Sequence, residues 1–317
     1  MSATDIVSVL VQASPFYLLT ALVAVRARTL AREGRPVRPR RLALIAAGVA
    51  VGVAADMPPI GTKSDELLSV HMVQHMLIGD VAAFLIAVGV TGPMLRPVLA
   101  VPALRPLRVV FNPVVAVPVW VLVYYGWHIP ALYDAAVRHD VVHALEHATM
   151  FGAGLALWMG LLGPLPKPAW FGNGAGLAYV VIVRFAGAVI ANVLLWSNTS
   201  YYDVYGDVED QSLAGAVWMI EGSVVTIAVL GWLFVRWMSQ GEQAQRLVED
   251  AARRGIALDP ARARRAVAAG AGDRLRRRLE DGPAEQHESD DDGDRDDDVD
   301  QEAEGLRLGA EGVDHRM

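Results

Sequence analysis

Apolar runs alternate with short polar stretches along most of the chain, at roughly 6–25, 42–60, 69–91, 111–129, 141–162, 176–196 and 213–236. Several approach or exceed the ~18–20 residues an α-helix needs to cross a bilayer core. The pattern predicts an all-α fold, a polytopic membrane bundle of seven transmembrane helices. The first run contains Pro15 and is the least regular of them. After Trp237 the apolar pattern stops, and 238–280 predicts two short Arg-rich helices broken near Pro260. Beyond it, "HESDDDGDRDDDVDQEAEG" is too polar to bury a core and predicts a disordered acidic tail. The expected organisation is a transmembrane domain over 1–237, a cytoplasmic juxtamembrane segment over 238–280 and the tail over 281–317.

Charge adds an orientation. The net charge of −7 belongs to the end of the chain, where residues 240–317 hold 21 Asp/Glu against 13 Lys/Arg. In the loops, "RARTLAREGRPVRPRR" (26–41) carries seven Arg, the third loop carries Arg96, Arg105 and Arg108, and the fifth Lys167. The alternate loops hold only Lys63 and Arg138. Positive residues favour the cytoplasmic side, so the N-terminus is expected outside and the C-terminus in the cytoplasm. Tyr124, Tyr125, Trp127, Tyr133, Trp196, Tyr201 and Tyr202 then cluster at the outer surface, as an interfacial belt would. The Arg clusters after 238 can rest on anionic membrane lipid; no nucleic-acid partner is expected. The start "MSATDIVSVL" lacks a basic region and a cleavage site, so the first run reads as a retained span. There is no cysteine, which excludes disulfides, thiolate metal sites and Cys nucleophiles.

The polar residues inside these runs carry the chemistry. "HMVQHM" (71–76) and "HALEH" (143–147) each place two histidines four residues apart at the head of an apolar run. At about 100° per residue such a pair shares one helix face. His71 and His75 form one stripe and Met72 and Met76 its neighbour, with Asp80 a turn further on. His139, His143, Glu146, His147 and Met150 share one face of the fifth span. Polar groups in lipid turn toward the bundle interior, so these two faces are expected to meet. His128 emerges on the same side. Any one of these histidines can be a hydrogen-bonded interfacial residue, and the methionines suit packing. Taken jointly, two pairs at matching depth with a Glu beside them suit a metal site of His71, His75, His143, Glu146 and His147, with His128, Met72 and Met76 as further candidates. Imidazole suits copper, zinc and iron, and thioether narrows the choice toward copper. Arg184 lies mid-span and is expected to form a structural ion pair with Asp80 or Glu221. Asp56 is a weaker candidate for the cavity wall.

"HMVQHMLIGDVAAFLIAVGVTGP" and "WHIPALYDAAVRHDVVHALEHATMFGAGLALWMGLLGP" resemble the multi-span CtaG-type assembly factors of cytochrome c oxidase, with likeness in span order over about 1–237. The resemblance implies an integral bacterial plasma-membrane protein that serves oxidase maturation and is not an enzyme. It implies an oxidase subunit as partner, and the usual interpretation adds copper supply or insertion. A single-span copper chaperone that shares the family's name works through a Cys-x-Cys pair, which this chain lacks.

Copper presented at the extracytoplasmic face, received there from a copper donor, is the leading reading. A copper permease or storage protein is the second reading, but a permease would place ligands through the whole membrane depth, whereas the inner half of the spans lacks histidine and has few methionines. A bis-His b-type haem protein and a zinc or other metal-dependent enzyme using Glu146 as base complete the alternatives; "HALEH" lacks the H-E-x-x-H order of zincins.

Overall fold

The computed structural model describes residues 9–268 and 270–281, and every regular element among them is helical. The acidic tail expected to be disordered, with His287 and His315, lies outside the described residues. The chain divides into two compact units, Met1–Phe234 and Val235–Met317.

The first unit contains α1 (Ser14–Arg32), α2 (Pro39–Asp56) and α3 (Leu68–Met76), the last continuing through a π-helical turn, Leu77–Ala82, into α4 (Ala83–Gly89). Next come α5 (Gly92–Ala100), α6 (Pro113–Trp127), α7 (Pro130–Arg138), α8 (Asp140–Leu162), α9 (Asn173–Trp196) and the first part of α10 (Val208–Arg253), whose remainder from Val235 belongs to the second unit. Pro15 sits in the first turn of α1 rather than inside it. There the missing N–H has no partner to lose, so the proline starts the helix and does not interrupt it.

Among the described residues, four helices are long and apolar enough to cross a membrane: Pro39–Lys63, Leu68–Gly89, Asn173–Trp196 and Val208–Arg253. Pro102–Val110 and Pro113–Trp127, bent by 92°, make a fifth if taken as one broken span. α1 and α8 fall outside this set. α1 carries Arg26, Arg28 and Arg32, and α8 gives up apolarity to His143, Glu146 and His147. Large apolar side chains point outward along α9 (Ile182, Phe185, Val189) and α10 (Ile220, Val224, Ile227). Apolar faces of this extent on the outside of the fold suit lipid rather than water.

The interior is closed by small residues where helices cross. α8 packs against α6, α4 and the π turn, and α2 packs against α4 and the π turn. A Cβ placed on Gly154 would lie 1.8 Å from the Gly79 carbonyl oxygen, and one on Gly48 would lie 2.8 Å from that of Ala82. Backbones thus touch at both crossings, a packing available in membranes only to small side chains. Gly79 belongs to the π turn, and such turns recur beside functional sites. Here it begins two residues after His75.

In the second unit, Ala244, Leu247, Ala251, Ala263, Val267 and Leu279 form a small core between α10, α11 (Pro260–Ala268) and α12 (Gly272–Asp281). Pro260 opens α11, and Asp259 accepts a hydrogen bond from the Ala261 N–H at 2.9 Å to cap it.

Candidate metal centre

Both His-x3-His pairs turn inward and face each other. His71 and His75 from α3 and His143 and His147 from α8 are all buried, as is Glu146 between them. The His71 ring lies 5.0 Å from that of His143, and the His75 ring 5.5 Å from that of His147. One ligand atom from each of His71, His143, Glu146 and His147 falls within a group no wider than 4.8 Å. At metal–ligand bonds of about 2.0–2.2 Å, donors around one ion stand up to roughly 4 Å apart, so small side-chain movements would close this set on a single ion.

Hydrogen bonds fix which nitrogen points inward. Tyr205 donates its hydroxyl hydrogen to the Ser64 carbonyl at 2.7 Å, so its oxygen accepts from the Nδ1–H of His71, also at 2.7 Å. His147 donates from Nδ1 to the Asp56 carboxylate at 3.1 Å, and His128 donates from Nδ1 to the Tyr124 carbonyl at 2.7 Å. Each bond leaves a bare Nε2 lone pair. His143 Nδ1 lies 3.3 Å from the Gln12 amide nitrogen. The Nε2 atoms of His71, His75, His128, His143 and His147, together with both Glu146 oxygens, are buried without a hydrogen-bond partner. Buried polar atoms are rarely left so, and the six from His71, His75, His143, His147 and Glu146 form a set of electron-pair donors suited to a cation.

The charges agree. Every ion pair that Glu146 and Asp56 make among the described residues is with an imidazole: Glu146 with His71 at 3.8 Å and His75 at 3.6 Å, Asp56 with His147. Neither has a Lys or Arg partner within that set. Two buried carboxylates without fixed positive charge call for compensation, which a divalent ion among these imidazoles would supply.

The remaining expected residues have other places. His75 reaches Glu146, while His128 stands at the rim, its ring 6.2 Å from that of His75 and 5.1 Å from that of Trp218. Met72 and Met76 are buried in the apolar core. His139 is exposed where α8 begins. Arg184 departs from expectation: no ion pair among the described residues joins it to Asp80 or Glu221. It donates instead to the Met219 carbonyl at 3.3 Å and to Ser223 Oγ at 3.0 Å on α10. Neighbouring-helix acceptors are at hand, so the guanidinium is solvated without a contact carboxylate. All three charged groups line one cavity beside Trp120, Trp158 and Trp218.

A family model described as cytochrome c oxidase caa3 assembly factor (Caa3_CtaG) matches residues 16–240. The chain belongs to that family. The matched stretch includes every residue of the buried donor group. No curated protein and no solved structure matches the chain.

Several residues around the donor group carry no mark in the sequence. Tyr133, expected as an interfacial aromatic, is fully buried, with its ring 5.1 Å from that of His71 and its hydroxyl unpartnered. Burial, reinforced by Tyr205 and Glu146, pushes its phenol well above the ordinary tyrosine range, so it stays protonated and able to donate. Asp210 accepts from the Leu68 N–H at 2.6 Å and the Ser69 N–H at 3.3 Å, holding the start of α3 against α10. Gln74 donates to the Ala55 carbonyl at 3.1 Å and to Asp56 at 3.3 Å. None of these partners is near its target in sequence, and no local spacing announces them.

Asp56 offers a direct check. Asp56→Asn keeps an oxygen beside His147 but removes the charge that sets its tautomer. Metal affinity should drop about 10- to 100-fold, the usual cost of losing such an orienting carboxylate. Isothermal titration of the purified variant with a divalent metal reads it directly.

Proposed function

We propose that this protein is a non-enzymatic assembly factor that holds copper for a cytochrome c oxidase subunit at the extracytoplasmic face of a bacterial plasma membrane. The observation that carries the proposal is the buried group of unpartnered imidazole nitrogens around Glu146. Family membership supplies the oxidase as partner and its assembly as the task. Copper follows from chemistry: three imidazoles and a carboxylate suit a divalent transition ion, and copper(II) binds such donors most tightly in the first-row series. Zinc competes for the same set. A b-type haem would need a flat slot between two opposed rings, whereas here four residues converge within 4.8 Å.

In this reading all seven predicted segments span the membrane, α1 and α8 included, with the N-terminus outside and the Arg-rich loops and tail inside. The histidines stand near the outward ends of α3 and α8, close to an oxidase subunit docking from that side. His71, His143, Glu146 and His147 would hold the ion, His75 and His128 would flank it, and Asp56, Tyr205 and Gln12 would keep the rings in place. Bound copper supplies the cargo. The chain supplies neutral nitrogens, a compensating carboxylate and exclusion of water.

The test is a strain whose only copy of the gene encodes His71→Ala with His147→Ala. The variant should reach the membrane at normal levels, while oxidase activity and oxidase copper fall together. Excess copper in the medium should restore part of both. Full activity in that strain would remove the assignment.

A further inference from the structure

We propose that the arginine-lined crevice formed by α1, α5 and their loops is a binding site for an anionic phospholipid, with diphosphatidylglycerol (cardiolipin) the strongest ligand. The proposal rests on the first unit alone and is independent of the metal reading. The crevice lies at the opposite end of α3–α4 and α8 from the histidines, since His71 and Gly89 are separated by ~27 Å of helix at 1.5 Å per residue.

Arg26, Arg35, Arg96 and Arg108 line a cavity of about 840 Å³ whose one acidic residue is Glu33. A neighbouring cavity shares Arg35 and Pro93 with it and adds Arg38 and Arg41. Two of these side chains are committed to protein. Arg26 donates to the Pro93 carbonyl at 3.0 Å and pairs with Glu33 at 3.5 Å, and Arg41 donates to the Val88 carbonyl at 2.5 Å. The guanidinium groups of Arg35, Arg38, Arg96 and Arg108 have neither a hydrogen bond nor an ion pair among the described residues.

Arginines in these loops satisfy the positive-inside rule wherever they point. That rule explains their number but not their convergence on a concave wall without counter-charge. Guanidinium is a bidentate partner for phosphate, and basic pockets at the cytoplasmic ends of membrane helices take cardiolipin headgroups. The other walls are Leu95, Leu99 and Leu165, apolar surface where a lipid's glycerol and upper acyl chains would lie. Two cavities joined through Arg35 offer two phosphate positions. A free phosphate would use the same guanidiniums but not the apolar walls.

The full-length protein, purified in detergent and stripped of lipid, is titrated with cardiolipin, phosphatidylglycerol, phosphatidylcholine or inorganic phosphate. Melting temperature and lipid adducts by native mass spectrometry are recorded. Cardiolipin should raise the melting temperature saturably, phosphatidylglycerol less so, and phosphatidylcholine and phosphate little. Arg35→Gln with Arg96→Gln and Arg108→Gln should weaken the apparent cardiolipin affinity at least about tenfold while melting as wild type does in phosphatidylcholine. If that triple variant melts early in phosphatidylcholine, Arg96→Gln alone, at an exposed position, should still weaken cardiolipin binding measurably. A matched variant with charge removed from the alternate loops, Lys63→Gln with Arg138→Gln, should bind as wild type. Undiminished cardiolipin binding in the crevice variants, equal loss in the matched variant, or equal stabilisation by phosphate or phosphatidylcholine would each overturn the assignment.

Discussion

Glu146→Gln should leave the protein folded and weaken its hold on a divalent metal by about a hundredfold or more, the scale set by an uncompensated buried charge. Glutamine has the shape of glutamate and keeps an oxygen near the ion. It lacks the negative charge that Glu146 places among the histidines, and no Lys or Arg pairs with Glu146 among the described residues. The effect on the metal-free protein should have the opposite sign. Glu146 is fully buried and neither oxygen accepts a hydrogen bond, so its ionised form is costly when no cation is present. Neutral glutamine removes that cost, and the metal-free variant should melt no lower than wild type. Metal content by mass spectrometry and melting curves with and without added metal test both halves. A packing role alone would move neither affinity nor the metal-dependent part of the melting shift. A variant that bound copper as wild type does would dismiss Glu146 as a ligand.

Gly154→Ala should be the most destabilising single change in the bundle, by about 3 kcal/mol or more, beyond the usual range for overpacking. The added methyl would fall 1.8 Å from the Gly79 carbonyl oxygen, and the obstruction is backbone, with no flexible side chain to swing aside. α8 would have to move off the π turn, and because His143 and His147 ride on α8 the donor group would spread with it. Gly152, on the same helix, has nothing within 4 Å of its Cβ position. Gly152→Ala should be neutral or stabilise by up to about 1 kcal/mol, because alanine is the better helix former where the space is open. Detergent melting curves and the monodisperse fraction separate the two variants. Equal behaviour would show that the crossing is slack.

Local spacing makes the two histidine pairs legible in the sequence itself. His71 with His75, and His143 with His147, are four residues apart, and helical periodicity alone puts each pair on one face. The apolar runs around them dictate helices for a like reason: hydrogen-bonding groups in lipid are satisfied within the segment, so the information is in the segment. Long-range partners carry no such mark. His147 is oriented by Asp56, 91 positions away, and His71 by Tyr205, 134 positions away. Tyr133 reads as a belt residue because its ring chemistry suits the interface and the core equally well. The contact ion pair expected of Arg184 does not form because a carbonyl and a hydroxyl on α10 reach the guanidinium, and composition does not reveal their distance.

What the sequence determined by itself was helical class, the polar faces and the identity of the inward nitrogen donors, since each follows from periodicity along one helix. Tertiary structure decided which faces meet, which ring nitrogen is bare and which carboxylates are left without a lysine or arginine partner. Those depend on close crossings such as Gly79 against Gly154, where contact between remote backbones, rather than any residue's own preference, sets the geometry.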